Sequence, residues 1–377
     1  MILLVAEPGG GGMDAGLFAV CLNLPHLLGP LLARRLDRVG DGRPFIATCC
    51  VLYGVALAAA ALSIGRAPLV VSLAFVVVAG VCGPVLTAGL SSQLSLMVPP
   101  SKAIQRRAQG LDALTYGVAG SAGPAIVASI ATASTPLTAV LALSGTAAVA
   151  GALMMTLPAV PTQDGPEAET ALGMRRVISH IVHASGLRRA TVAMMVTSFV
   201  AGSMAILAVG RGIQLRGDPD SGALLAALYG AGSLLGSIFT SVVPLKGEAD
   251  RTTICYSISI GTTFVLGGLA PNFATALVAF VIAGFLSGPF FVATLAARTA
   301  YSPDRGRAQV FVAMGALKIT LSAAGAAVAG LIGFDTAGIF LALGGAFIVA
   351  VGAALILDRH RRPPTSGEGV SLGHYRR

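Results

Sequence analysis

ARRLDRVGDGRPFIATCCVLYGVALAAAALSIGRAP, residues Ala33 to Pro68, is the stretch that decides the fold. Its middle, Pro44 to Gly65, holds 22 residues without a charge, bounded by Arg43 and Arg66. About 20 apolar residues are enough for a helix to cross a hydrocarbon core of about 30 Å. Ahead of that span stand Arg34, Arg35, Arg38 and Arg43; behind it stands Arg66 alone. Lys and Arg collect in cytoplasmic loops. Residues 34–43 therefore lie inside, and the helix that follows runs outward.

The rest of the chain repeats this pattern. Of its 377 residues 55% are hydrophobic and 11% charged, and the mean hydropathy is +0.83. Soluble domains carry about 25% charged residues, so a surface this poor in charge belongs in lipid. Eleven complete transmembrane helices are expected, near 13–35, 44–64, 68–96, 108–132, 136–158, 188–210, 221–243, 252–270, 273–297, 306–333 and 336–357. Two long apolar stretches must each turn once, at Ser134–Pro136 and at Pro271–Asn272. The opening MILLVAE reads as the last turns of a twelfth helix, helix 1, cut short. With loops alternating sides, 21 of the 25 Lys and Arg residues fall inside; Arg66, Arg211 and Arg216 fall outside, and Lys318 sits within a span.

The net charge of +9 comes in short clusters between apolar runs. That is the placement of membrane loops, and it argues against a nucleic-acid surface. The five cysteines, Cys21, Cys49, Cys50, Cys82 and Cys255, lie inside apolar runs without metal-ligand spacing and read as buried free thiols. No nucleotide loop, metal cluster or nucleophile motif is present, so no enzyme, no metal, no cofactor and no ATP-driven pump is expected. Arg outnumbers Lys 22 to 3 beside abundant Ala and Gly. This usage fits a high-GC bacterial genome and points to the bacterial cytoplasmic membrane as the multi-pass protein's location.

The chain also repeats itself. DAGLFAVCLNLPHLLG from Asp14 parallels DSGALLAALYGAGSLLG from Asp220; AFVVVAGVCGP from Ala74 parallels AFVIAGFLSGP from Ala279. RAQ at Arg107–Gln109 recurs at Arg307–Gln309, and GSAGPAIVASI from Gly120 resembles SAAGAAVAGLI from Ser322. Common order and a common offset of 200 to 207 residues mark two related halves. The organisation expected is a helix bundle at 1–157 with helix 1 truncated, a cytoplasmic linker at 158–187, a six-helix bundle at 188–357 and a cytoplasmic tail at 358–377. Within the linker, MRRVISHIVHASGLRR from Met174 mixes apolar and basic residues as an amphipathic helix on the inner leaflet does.

GPLLARRLDRVGDGRP, Gly29 to Pro44, resembles the signature loop of the major facilitator superfamily, Gly-x-x-x-Asp-Arg-x-Gly-Arg-Arg. Asp37, Arg38 and Gly40 match; Arg43 stands one residue late and Ala33 replaces the first glycine. The resemblance implies an all-α fold of two six-helix halves that rock about a central site. It also implies a latch in which Asp37, held by Arg38 and Arg43, meets a helix N-terminus of the other half. GVAGSAGPA, Gly117 to Ala125, is similar to the Gly-x-x-x-Gly-Pro motif of bacterial drug and metabolite efflux members, through Gly117, Gly120, Gly123 and Pro124. Drug–proton antiporters usually carry an arginine in span 4, and here Pro68 to Leu96 has no charge.

Three ionisable residues are expected within the membrane. Lys318 lies 11 residues past Arg307, hence about 16 Å deep, and faces either a cavity or a structural partner. Asp112, about 7.5 Å deep by the same rise, is read as a contact between halves or a proton or substrate group. His26, beside Asn23, is a hydrogen-bonded structural residue or one that titrates near neutral pH. Gln93, Tyr116 and Tyr229 are further polar candidates. The resulting expectation is a monomeric secondary transporter of a small organic molecule, exporting it by alternating access in exchange for protons. Uptake by symport, and a non-transporting or decayed membrane paralogue, are the alternatives.

Overall fold

The computed structural model describes residues 12–36, 39, 41–99, 101–159, 174–217, 219–303, 306–332 and 334–361. Asp37, Arg38, Gly40, the start MILLVAE, the first part of the linker and the end of the tail lie outside the described residues. Among the described residues every regular element is helical.

The expected first full span is broken. Helix α1 (Gly12–Asn23) gives way to a 3-10 turn, Leu24–Leu28, before α2 (Gly29–Leu36). Pro25 has no N–H to give the helix ladder, and Pro30 follows five residues later. Helix α3 (Gly42–Ser63) begins at Asp41, whose carboxylate accepts from the Arg43 backbone N–H at 3.0 Å. Helix α4 (Leu69–Pro84) runs through a π turn, Val85–Gly89, into α5 (Leu90–Met97). Helices α6 (Lys102–Ala133) and α7 (Pro136–Thr156) meet at a Thr135 cap that accepts from Thr138 N–H at 3.1 Å, with Pro136 opening the helix.

Helix α8 (Met174–His183) lies in the linker, with Val177 and Ile181 buried and Ile178 and Val182 exposed. Helices α9 (Ser185–Gly202) and α10 (Met204–Arg216) form one bent element, with 46° between them at Ser203. Then come α11 (Pro219–Val242), α12 (Ala249–Gly268), α13 (Phe273–Tyr301), α14 (Arg307–Ile332) and α15 (Ala337–Arg361). Asn272 caps α13, accepting from Thr275 N–H at 3.0 Å.

Among the described residues, seven helical segments are long and apolar enough to cross a membrane, and α9 with α10 makes an eighth. The other three expected spans are helical too. The first is interrupted at its 3-10 turn, α6 opens on a charged turn, and α12 is loaded with Thr and Ser.

The chain divides into two compact units. One comprises Met1–Met97, Ala122–Val177 and Asp304–Ala316; the other comprises Val98–Ser121, Ile178–Pro303 and Leu317–Arg377. In the first, α3 packs on α4 and α7 through small residues. A Cβ at Gly54 would stand 2.6 Å from the Ser144 carbonyl oxygen. Its apolar clusters join Phe18, Ala60 and Val76, and Ala56, Leu57 and Ala79.

In the second unit, α11 packs against α13, and α12 against α13 and α15. At Gly236 and Gly284 a Cβ would overlap the facing backbone, of Phe285 and Tyr229 respectively. Close approach through small residues is how helices associate where lipid removes the hydrophobic drive. Both units leave large apolar side chains uncovered, Val70 and Leu153 in the first and Leu331 and Leu343 in the second. Cys49, Cys50 and Cys82 are buried free thiols, Cys21 is half-buried and Cys255 is exposed. The expectation of five buried thiols is corrected at Cys255, which is exposed, and at Cys21, which is only half-buried.

Candidate functional site

A cavity of about 260 Å³ lies within the second unit. Five of the helices around it contribute residues at i, i+3 or i+4 spacing, the repeat that puts residues on one helical face, and α12 adds Ile260. Helix α6 gives Ala113, Tyr116 and Gly117; α11 gives Tyr229, Ser233 and Ser237. Helix α9 gives Met194, Thr197, Ser198 and Ala201, just before its bend. Helix α13 gives Ser287, Phe291 and Thr294, and α14 gives Lys318 and Ser322.

The walls are polar in an ordered way. The Ser287 hydroxyl donates to that of Ser233 at 2.9 Å, and the Thr197 and Ser257 hydroxyls are 2.7 Å apart. Ser322 Oγ donates to the Ser198 carbonyl at 3.1 Å. The Tyr116 and Phe291 rings meet edge to face, 5.0 Å between centroids. Lys318 Nζ lies 4.0 Å from the centroid of the Phe291 ring, a cation–π arrangement. One helical turn beyond Thr294, Arg298 is 2% exposed, with its guanidinium 3.4 Å from Met194 Sδ. Asp112 and Tyr116 lie within electrostatic reach of Arg298, and Arg298 within that of Lys318.

Lys318, Tyr116 and Tyr229 thus share one cavity, and Asp112 is not among the residues that line it. His26 is elsewhere, in the first unit, with its ring filling the space a side chain at Gly83 would need. Gln93 also belongs to the first unit. Arg298, counted among loop arginines in the sequence, is buried. The signal that picks it out is periodicity: Ser287, Phe291, Thr294 and Arg298 fall on one face of α13. Gly117 packs on Ser237, where a Cβ would stand 3.1 Å from the hydroxyl. A Cβ at Gly120 or Gly123 would meet nothing within 4 Å, and the Pro124 side chain lies outside the described residues.

A second polar cluster caps the second unit, unread from sequence. Asp250, in the first turn of α12, is fully buried. Its carboxylate accepts from Arg189 Nε at 3.0 Å and from the Tyr301 hydroxyl at 3.0 Å, and it pairs with Arg359, which also pairs with Glu248. Arg188 and Arg189 reach Asp358 at 3.3 and 3.4 Å. His180 of α8 donates from Nε2 to the Tyr301 carbonyl at 2.8 Å. Burial alone pushes the Asp250 carboxyl up; the bonds from Arg359, the Arg251 backbone N–H and Arg189 outweigh it and hold the group below its ordinary value. A carboxylate at a helix N-terminus and an arginine at the C-terminal end of α15 also suit the two helix dipoles.

At the other end of the unit, Arg211 donates from Nε to the Gly267 carbonyl at 3.2 Å and from a terminal nitrogen to that of Ala270 at 2.8 Å. These bonds satisfy carbonyls left open at the end of α12. In the first unit Arg43 donates to both Asp41 carboxylate oxygens and to the Leu157 carbonyl. Those bonds hold Asp41 below its ordinary carboxylate value. Among the described residues no group of three or more His, Cys, Asp or Glu side chains is placed to hold a metal.

A family model described as Major Facilitator Superfamily matches residues 3–246. The structure of the E. coli fucose:proton symporter FucP is similar at a TM-score of 0.69 and 16% identity, over 94% of this chain and 93% of that one. The human organic anion transporter MFSD10 (TETRAN) gives a TM-score of 0.67 and 14% identity, over 94% and 86%. The proton:xylose symporter XylE, bound to 6-bromo-6-deoxy-D-glucose, gives 0.67 and 11%, over 94% and 86%. No curated protein matches the chain in sequence.

Proposed function

Because this chain belongs to the major facilitator superfamily, we propose that it is a secondary active transporter that moves a small organic molecule across the membrane by alternating access. The observation that carries the reading is the cavity: hydroxyls, two tyrosines and one lysine enclosed by otherwise apolar helices. An intramembrane lysine facing a cavity rather than lipid marks a substrate or ion path. The wider topology proposed with it is eleven spans, the three polar or interrupted helices included, with the tail inside. The bundles at 1–157 and 188–357 would be joined by the linker helix.

For direction, the Gly117, Gly120, Gly123 and Pro124 motif favours proton-coupled efflux. Two of the similar structures are of proton symporters, which favours proton-coupled uptake as the second reading. Asp37, Arg38, Gly40 and Arg43 are proposed as the conformational latch.

The test is flux in proteoliposomes under an imposed pH gradient, after a deletion strain has been screened for compounds it retains or fails to take up. Substrate moving against the proton gradient establishes efflux by exchange, and movement with it establishes symport. Flux indifferent to the gradient removes proton coupling. Asp37→Asn is expected to abolish flux at unchanged membrane abundance; normal flux in that variant would sink the latch.

A further inference from the structure

We propose that the cavity selects an organic anion, seating its acid group on Lys318 and laying its body along Phe291 and the serine-lined wall. The proposal rests on the transport reading of the same cavity and adds the charge of the cargo.

The charge count comes first. Asp112 and Arg298, within electrostatic reach of each other, sum to zero. Lys318 adds a positive charge, and among the described residues no Asp or Glu lines the cavity. An ammonium enclosed among helices is costly unless an opposite charge or hydrogen bonds accompany it. The Phe291 face supplies an attraction worth about 0.5–2 kcal/mol, covering one side of Nζ only. A bound carboxylate or sulfonate completes the site on the open side.

The walls agree with that choice. Tyr116 and Phe291, meeting edge to face, present ring surface beside the ammonium. Ser233 and Ser287, already bonded to each other, lie on the same wall as Tyr229. They suit a hydroxyl or carbonyl on the ligand. A cation would meet the Lys318 ammonium with no carboxylate among the described lining residues to answer it. The volume, about 260 Å³, falls just below the usual range for drug-sized ligands of roughly 300–1,000 Å³, so the acid is a small one.

The experiment is a thermal unfolding series on the purified full chain in detergent. The probes are benzoate, 4-hydroxybenzoate, 3-phenylpropionate and benzenesulfonate, each paired with its neutral amide and with benzylamine as the cation. At least one anion is expected to raise the unfolding midpoint while its amide and benzylamine do not. Lys318→Gln should weaken that anion by about ten- to a hundredfold, the size of a charge-assisted hydrogen bond, and Lys318→Arg should retain part of it.

Without ligand, Lys318→Met should unfold at or above the parent midpoint, since an enclosed charge is removed. A lower midpoint would mean Lys318 belongs to an internal ion pair and would overturn the proposal. So would amides or benzylamine matching every anion, an inert panel, or anion stabilisation surviving Lys318→Gln. Anion binding without flux in proteoliposomes would sink transport and leave the anion site standing. Flux of a neutral or cationic compound with the anions inert would do the reverse.

Discussion

Asp250 has no water to lean on. It is fully buried, and so is Arg189 beside it. Removing one partner of such a pair leaves the other charge stranded, at about 3–5 kcal/mol. Arg189→Ala is therefore expected to lose about that much stability, read as a fall in the denaturation midpoint of the purified protein, whereas Arg188→Ala, at a half-exposed pair, should lose much less. The pH dependence follows from the depressed Asp250 value. Ionisation favours the folded state, so its stabilisation is complete above the unfolded carboxyl value of about 3.9 and is lost as pH falls through the lower folded one. Asp250→Asn should be less stable at neutral pH yet lack this acid-side slope. An unchanged slope in that variant would assign the titration to another group.

This network was illegible in the sequence because its members stand at residues 180, 189, 250, 301 and 359. Arg189, Arg251 and Arg359 read alike as loop cations, and only the structure buries the first of them. Lys318 was different. A single lysine deep in an apolar run stands out by solvation cost alone, so the sequence is enough to mark it. Arg298 was missed because its position near a helix end gave a loop reading, while the length of α13 brings it inside.

Helices and their junctions are more legible than side-chain partners, where local chemistry writes them. The turns at Thr135–Pro136 and Asn272 carry caps and prolines that act within three residues, and both are legible in the sequence. The 3-10 turn at Leu24–Leu28 and the bend at Ser203 are not. Pro25 is visible but a proline is tolerated in many spans, and the Gly202–Ser203 pair, which permits a kink, is one of several Gly/Ser pairs in the chain, such as Gly232–Ser233 and Gly236–Ser237. The bend is held by packing on α14. A Cβ at Gly325 would overlap the Phe199 carbonyl oxygen, and one at Gly202 the Ser322 backbone. Gly325→Leu is therefore expected to force α9 from α14, costing about 1–3 kcal/mol by overpacking and impairing flux. Gly120→Leu, where a Cβ meets nothing within 4 Å, should leave the midpoint within about 0.5 kcal/mol. Equal effects of the two would overturn this account of the bend.

For the molecule as a whole, the prediction is topological. In a cysteine-free background, Arg66→Cys should react with a membrane-impermeant maleimide added to intact cells, and Lys246→Cys only after permeabilisation. Labelling of both from outside would refute the eleven-span reading.

What the sequence alone determined was the membrane, the position of most spans and the family resemblance, and it carries the inside–outside sense as an expectation. Transfer into lipid and the bias of basic loops depend on composition over about 20 contiguous residues, and these are one-dimensional properties. The tertiary structure decided which face of each helix looks inward, and therefore that Lys318, Phe291, Tyr116 and the α11 and α13 serines share a cavity. In helices this apolar the inward face is marked only by a few small polar residues at helical spacing, too weak a periodicity to announce that rotation. It is set by close backbone approach at residues such as Gly236 and Gly284, whose partners lie dozens of residues away.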